Sequence, residues 1–321
     1  MRVASSIRII AAVGIALGIA WLVFRPLQRK SSTASQTTSN EVTGKEVTGN
    51  EVPSTTHPAP GNAESASVSN NAATSPAVSQ PDTSIADRVR KLRSLDREIN
   101  TNEASDFYAY LRLPAPSGGP HRSQENWLRN VMLDKLVEMG TPPAGLAALL
   151  IGIYQDPSQD VVMRDYAIQH IAPMYAAAPP DDKNALRETL WNAVGEITNS
   201  IGGTALLGLE ELASDHPEFG WDKLAEAVFR SAVNGQSSDL VRITAIQICA
   251  RMGITQATEM IVEVAQNSPS VPLRMSALAA LGDLGDRNSE ALLEQAAVSP
   301  EERLRIVAES ALKRLRQRVK D

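Results

Sequence analysis

An eight-residue phrase recurs down the second half of this 321-residue chain. It reads Arg164-x-x-Ala167-x-x-x-Ile171, then Arg242-x-x-Ala245-x-x-x-Cys249, Arg274-x-x-Ala277-x-x-x-Leu281 and Arg305-x-x-Ala308-x-x-x-Leu312. Two weaker copies keep the phase. Arg129-x-x-Met132-x-x-x-Leu136 has Met for Ala, and Gly202-x-x-Ala205-x-x-x-Leu209 has Gly for Arg. Successive Arg positions, or the Gly standing in, lie 35, 38, 40, 32 and 31 residues apart. Such a period marks stacked structural repeats, each too small to bury its apolar face alone. The small residue and the apolar residue four positions on share one helix face. A small side chain at that point lets two helices approach closely.

A glycine follows eleven residues after the arginine in three copies, at Gly140, Gly253 and Gly285. Glycine just past an apolar-periodic segment is a helix-ending signal, because it accepts a left-handed backbone. A shorter periodic run comes next, Ala257-Met260-Ile261-Val264-Ala265 in one copy and Ala291-Leu292-Leu293-Ala296 in the following one. Each unit therefore reads as helix, glycine turn, helix.

These residues resemble HEAT repeats and the shorter HEAT-like repeats of phycobilin lyases. Val241-Arg242-x-x-Ala245 with Asp239 ahead is similar to that family's first helix. So is Asp160-x-x-Met163-Arg164-x-x-Ala167, with Pro173 late in the helix where HEAT first helices often bend. The resemblance covers 123–321 and is closest over 237–318. It implies an all-α solenoid of about six helical hairpins. The second helices, expected near 182–198, 222–233 and 256–266, would line a concave binding face. The resemblance speaks for architecture, since one fold hosts many functions.

Composition divides the rest of the chain. Residues 1–30 are apolar with basic ends, and the uncharged run 9–24 lies between Arg8 and Arg25. Sixteen residues at helical rise span about 24 Å, a little short of a ~30 Å hydrocarbon core. Arg8 and Arg25 can snorkel to lengthen that span. The run reads as a single-pass membrane anchor. The rival is a cleaved signal peptide with Gly18-Ile19-Ala20 as its small-x-small site, although Trp21-Leu22-Val23-Phe24 carries the apolar run past that point. Residues 31–82 are rich in Ser, Thr, Asn, Ala and Pro, and hold one Lys or Arg (Lys45) and no Phe, Trp or Tyr. Such a segment buries too little apolar surface to offset chain entropy and reads as a disordered linker. Basic residues nearly balance across the apolar run, so the positive-inside rule decides little. The almost Lys-free linker translocates readily, which places the repeat domain on the extracytoplasmic side of a cell membrane.

Residues 83–122 read as an N-terminal helical cap. Ile85, Val89, Leu92, Leu95 and Ile99 recur at helical steps over 84–99. Phe107, Tyr108, Tyr110, Leu111 and Leu113 form the densest aromatic cluster and are expected as core of the cap; a peptide groove is the other reading. Ser123 is placed to cap a helix ending near Gly140. Asp181 and Asp182 open another, running to about Thr198.

The chain shows no pattern of reactive side chains. The histidines are His57, His121, His170 and His216, and none has a second ligand at metal-binding spacing. His170 occupies a slot filled elsewhere by Gly208, Ile248, Ala280 and Ala311, which predicts a packed imidazole. Cys249 is the only cysteine; it replaces a core aliphatic and excludes an intrachain disulfide. Asp283-Leu-Gly-Asp286-Arg-Asn288 lacks the ligand spacing of a calcium loop and reads as an inter-helix turn. Gly202-Gly203 follows no strand, so it is no phosphate loop; it permits close packing or a kink. No catalytic residue, cofactor-binding residue or metal ligand is assigned, and an enzyme is not expected. Two readings remain for the repeated arginine. It pairs with carboxylates such as Asp160, Asp239 and Glu301 or Glu302, or it forms an exposed basic ladder. Residues 83–321 carry 25 basic and 32 acidic side chains, which argues against nucleic acid as a partner.

The expected function is thus a membrane-tethered scaffold whose repeats bind a protein or peptide. A random coil of ~50 residues spans about 40 Å, and would hold the repeats away from the bilayer. The alternatives are a catalytic accessory resembling the HEAT-like bilin lyase-type proteins, and a structural envelope component.

Overall fold

The computed structural model describes residues 84–95, 97–114 and 122–320. The expected anchor (1–30), the linker (31–82), His57 and His121 lie outside the described residues. Among the described residues the secondary structure is thirteen α-helices and two 3-10 turns, without a strand. None of these helices is long and apolar enough to cross a membrane.

Six helices carry the phased residues: α3 (Arg122–Val137), α5 (Val161–Tyr175), α7 (Ile201–Ala213), α9 (Asp239–Met252), α11 (Val271–Leu284) and α13 (Glu302–Lys320). Each packs on the next in an unbroken row. Interleaved with them are α4 (Leu146–Gln155), α6 (Pro180–Ala193), α8 (Trp221–Val233), α10 (Thr258–Asn267) and α12 (Arg287–Ala296). Ahead of the row come α1 (Ile85–Arg93) and α2 (Thr101–Leu111). Both pack on α3.

The helices start where their caps are. The side chains of Asp160, Ser238 and Ser270 accept the N–H groups of Val162, Val241 and Leu273, satisfying donors that a helix N-terminus leaves free. The arginine of the repeat is then the fourth residue of α5, α9, α11 and α13. Three residues on, Ala167, Ala205, Ala245, Ala277 and Ala308 are each 0% exposed, and so are Leu136, Ile171, Leu209, Cys249 and Leu281. Leu312 is only half-buried, because α13 has no described helix stacked beyond it. Small residues set the spacing of the row. A Cβ on Gly282 would stand 2.9 Å from Ala311 Cα, and one on Gly208 would stand 3.3 Å from Ala172 Cβ.

The pairing of helices departs from the sequence reading. A second helix packs less on the first helix of its own repeat than on that of the next: α4 on α5, α8 on α9, α10 on α11, α12 on α13. At the junctions that carry it, the repeated arginine bridges the same pair of helices. Arg164 Nε donates to Tyr154 O at 2.7 Å, Arg274 Nε to Ala265 O at 3.2 Å, Arg242 Nε to Ala232 O at 3.4 Å, and Arg305 Nη1 to Ser299 O at 3.3 Å. Arg129 Nη1 likewise donates to Leu113 O at 3.0 Å, just past the end of α2. Arg164, Arg242 and Arg274 thus supply donors to carbonyls at the end of the preceding helix, which have no intrahelical partner and sit at the negative pole of its dipole, and Arg305 to one in the turn that follows it. A hydrogen bond from a charged donor is worth about 1.5–3 kcal/mol. By this contact α2 holds the place of a second helix before α3.

The expected pairing of these arginines with Asp160, Asp239 and Glu301 or Glu302 is corrected in part. Asp160 caps α5 and pairs with Arg122. Carboxylates do meet two of the arginines, but they are Glu196 on Arg164 and Glu125 on Arg129. In the copy with glycine, a Cβ on Gly202 would lie 2.8 Å from Glu196 O, and the Gly202 N–H donates to that carbonyl at 3.2 Å. The backbone itself closes the junction that arginine closes elsewhere.

Local boundaries also shift. Gly253 ends α9 with φ +70°, as a glycine stop should. Gly285 has φ −59°; glycine is needed there because a Cβ would collide with Leu281 O and with Ser289. Gly140 lies three residues beyond α3 and shows no left-handed φ. α1 stops at Arg93, well short of Ile99, and α6 stops at Ala193 rather than near Thr198. Ser123 falls inside α3, which begins at Arg122. Pro173 does lie within α5, and Asp286 caps α12 in the turn where a calcium loop was excluded.

Three substitutions test this packing by thermal and urea unfolding. Leu281→Ala should cost about 2–5 kcal/mol, and Leu312→Ala less than about 2, because only the first empties a closed site. Ala277→Glu buries an unpaired charge and should abolish the cooperative transition of the C-terminal helices. Equal effects of the two leucine changes would contradict the stacking order.

Glycine makes a separate contrast. Gly202→Ala should destabilise by about 1–3 kcal/mol through its clash with Glu196 O. Gly152→Ala, with nothing within 4 Å of the added Cβ, should stabilise α4 by about 0.5–1 kcal/mol.

Candidate protein-binding face

Because each second helix turns toward the next first helix, successive second helices touch one another little. Between α6 and α8 this leaves a groove of about 560 Å3, lined by Arg187, Glu188, Trp191, Asn192, Glu218, Phe219, Gly220 and Lys223. Its floor is the 3-10 turn Pro217–Phe219 between α7 and α8. Phe219 is 1% exposed and packs edge-on against Tyr175 at 4.9 Å between ring centroids. Gly220, at φ +71°, takes the backbone from that turn into α8.

One wall of the groove is the half-buried Trp191, and Lys223 Nζ sits 3.9 Å from the centre of its ring. That cation–π contact keeps the ammonium in place without neutralising it. Arg187, on the same helix as Trp191, donates to Asn184 Oδ1 at 3.0 Å and attracts the Glu218 carboxylate. Among the acids, Glu218 accepts the Tyr175 hydroxyl at 3.0 Å and lies 3.4 Å from His216 Nδ1. Its own backbone N–H, the Tyr175 hydroxyl, His216 and Arg187 hold its carboxyl below the usual range. Glu188 is exposed on the rim.

Trp221, the first residue of α8, is 47% exposed. Other rings on the array are covered by cations: Tyr154 by Arg164, Tyr175 by Lys183, Trp127 by Arg93 and Tyr110 by Arg129. No described cation covers Trp221. Of the two tryptophans on the second helices, Trp191 lines the groove and packs partly against the core.

The residues singled out from sequence mostly serve packing. Leu111 is buried, while Phe107, Tyr108 and Tyr110 are half-buried and Leu113 is 54% exposed. The Tyr108 hydroxyl donates to Gly145 O at 2.6 Å, and the Tyr110 hydroxyl donates to Glu125 Oε1 at 3.0 Å. Glu125 in turn holds Arg129 at 2.9 Å, with both side chains nearly fully buried. The aromatic cluster therefore docks α2 on α3. Cys249 is 0% exposed, and burial pushes its thiol up to about 12. Such a thiol is a poor nucleophile at neutral pH. Among the described residues no group of three or more His, Cys, Asp or Glu is placed to hold a metal ion.

Residues 226–313 match the HEAT repeat family. The array is built of HEAT-like repeats. The matched stretch runs from within α8 to within α13 and holds three of the capping arginines, Arg242, Arg274 and Arg305. Ahead of it the HEAT-like units are less regular, with Met132 and Gly202 at phased positions and the extra turn Pro217–Phe219 between helices. Among solved structures, a designed armadillo repeat protein is similar at 19% identity, over 72% of this chain and 100% of its own, with a TM-score of 0.38. No curated protein is significantly similar to this chain.

His170 lies inside the HEAT-like array. It is 3% exposed, and its Nε2 is 2.8 Å from Asn130 Oδ1 on the neighbouring first helix, which makes Nε2–H the donor. Burial lowers its pKa to about 4 from 6.5. The unfolded chain therefore takes up a proton at this site as pH falls below about 6.5, while the folded chain does so only near 4. Stability is lost across that window, by an amount on the order of 3 kcal/mol. Nearby Asp134, raised to about 6 by burial and by Glu138, has the opposite sign and gains stability as pH falls. Its side chain is 44% exposed, so the histidine dominates. The stability of His170→Gln should fall less between pH 6.5 and 4 than that of the parent, measured by urea unfolding at each pH. Parallel profiles would show that His170 is not held neutral by burial.

Proposed function

We propose that the protein is a membrane-tethered scaffold. The apolar segment 9–24 is its single-pass anchor and 31–82 its flexible tether. The HEAT-like array stands on the extracytoplasmic side and binds a protein or peptide through its second helices. Repeat solenoids of this kind typically serve protein interaction. The observation that carries the reading is the unequal covering of the two helix rows. The first helices bury their phased residues against one another, while the second helices leave a groove between α6 and α8, and Trp221 at the start of α8 is exposed. Tryptophan and arginine, as at Trp191 and Arg187 on this groove, are residue types enriched in interface hot spots.

Two measurements test the two halves of this reading. The full chain should sediment with membranes and resist carbonate extraction, and a chain lacking residues 1–30 should not. Sedimentation of the shortened chain would replace the anchor with a lipid-binding surface on the repeats. Separately, a photo-reactive residue at Glu226, exposed on α8, should give covalent protein adducts in native membranes. The same probe at Glu309, on the outer face of α13, should not. Equal labelling from both positions, or none from Glu226, would remove the second-helix face from the proposal.

A further inference from the structure

We infer that α13 closes the array: its outer face is built to meet water, and neither a further repeat nor a second copy of this chain stacks on it. The inference concerns association of the array and does not rest on the partner-binding reading above.

Contacts between first helices show which positions face forward along the row. The residue just after the repeated arginine, or after Gly202, meets the next first helix. Asn130 Oδ1 accepts from His170 Nε2 at 2.8 Å, and a Cβ on Gly203 would stand 3.1 Å from Thr244 Oγ1. Two turns further on, the same face meets the next helix again. Ala172 lies against Gly208, and a Cβ on Gly282 would stand 2.9 Å from Ala311 Cα. Between these two points, on the same side of the helix, sit Leu133, Ile168, Leu206, Ile246 and Leu278. Each is 0 or 1% exposed.

In α13 the corresponding residues are Ile306, Lys313 and, between them, Glu309. Ile306 is 46% exposed where Ile243 is 3% exposed, and Glu309 and Lys313 are both exposed. Glu309 thus takes the slot that five other first helices give to a buried Leu or Ile, and Lys313 takes the slot where Gly282 admits its neighbour. A Glu four residues ahead of a Lys supports a helix face in water. A helix stacked here would bury that carboxylate, a cost that one exposed isoleucine cannot return. An antiparallel second copy would set Glu309 opposite the Lys313 of its partner. That pairing does not rescue the contact, because the attraction within a buried ion pair is offset by the water both ions lose. Where the array does carry an acid at the Lys313 position, at Glu210 of α7, the next first helix supplies Arg251 to meet it. A closed end keeps the array a single unit and leaves its sides as the surfaces open to partners.

The test uses the full chain in detergent micelles. Gln317→Cys places a thiol on the same face of α13, four residues after Lys313, while Cys249 is 0% exposed and shielded from reagent. A short bis-maleimide should link no chain to another through Gln317→Cys. Adding Glu309→Leu/Lys313→Ala should give linked chains whose yield rises with concentration, with self-association strengthened about tenfold or more. Circular dichroism checks that this variant is folded; should it lose helix, Glu309→Leu alone carries the same test. Leu278→Glu, which puts the same charge in the covered slot of α11, should lose the cooperative unfolding of the C-terminal helices, whereas Glu309→Leu should melt no lower than the parent. Chain-to-chain links from Gln317→Cys alone would overturn the inference, since a second copy would already sit on this face. Absence of links after the charges are removed from a folded chain overturns it as well, because the charges would then not be what keeps the face free. Leu278→Glu melting like the parent would remove the equivalence of the two slots and the inference with it.

Discussion

A guanidinium laid across the end of the preceding helix holds this array together. A helix ends with carbonyls that its own backbone cannot satisfy, and a short helix stacked among others cannot leave them all to water. Arg164, Arg242 and Arg274 reach such carbonyls from the first turn of the next first helix, and Arg129 and Arg305 reach carbonyls just past the preceding helix. The planar fork of arginine suits this task, since it can serve two acceptors while its stem packs against apolar neighbours. One residue type at one phase therefore closes the junction between successive units. Where it is missing, at Gly202, the chain brings the backbone of Glu196 directly against the helix instead.

That junction decides which surfaces are buried. Tying each second helix to the following first helix puts the alanines of the first helices in one continuous contact row, from Ala167 to Ala308. The second helices are then joined mainly through the first row and gain little from one another. Space between them costs the fold little, because their apolar faces are already satisfied from one side. The groove at α6 and α8 is one consequence, lying at the turn Pro217–Phe219 with Phe219 at its base.

Buried polarity follows the same economy. His170 occupies a slot held by small or aliphatic residues in the other repeats, and it is tolerated because Asn130 across the first-helix row accepts its N–H. Glu125 and Arg129 are buried together with the Tyr110 hydroxyl as a third member, so no charge in that pair is left alone. Both networks join α3 to a neighbour. They lie at the end of the array where the repeat phrase is weakest, and there polar contacts take over part of the specification that Arg-x-x-Ala supplies further on.

Much of this architecture was legible in the residues themselves. The spacing of Arg, Ala and the apolar residue four positions on marked the first helices, and burial of Ala277, Leu281 and Cys249 follows from a 3.6-residue period that needs no tertiary knowledge. Ser238, Ser270 and Asp160 likewise marked helix starts through local capping chemistry. What the repeated arginine touches was not legible, because a carbonyl acceptor belongs to every residue and leaves no mark in a sequence, whereas carboxylates such as Asp239 do. Helix ends at Ala193 and Arg93 were hidden for a related reason. They are set by where the next helix must pack rather than by a stop residue. The groove of Arg187, Trp191, Glu218 and Lys223 was decided by tertiary structure alone. Its residues are near-neighbours only because the first helices fix how far apart the second helices stand.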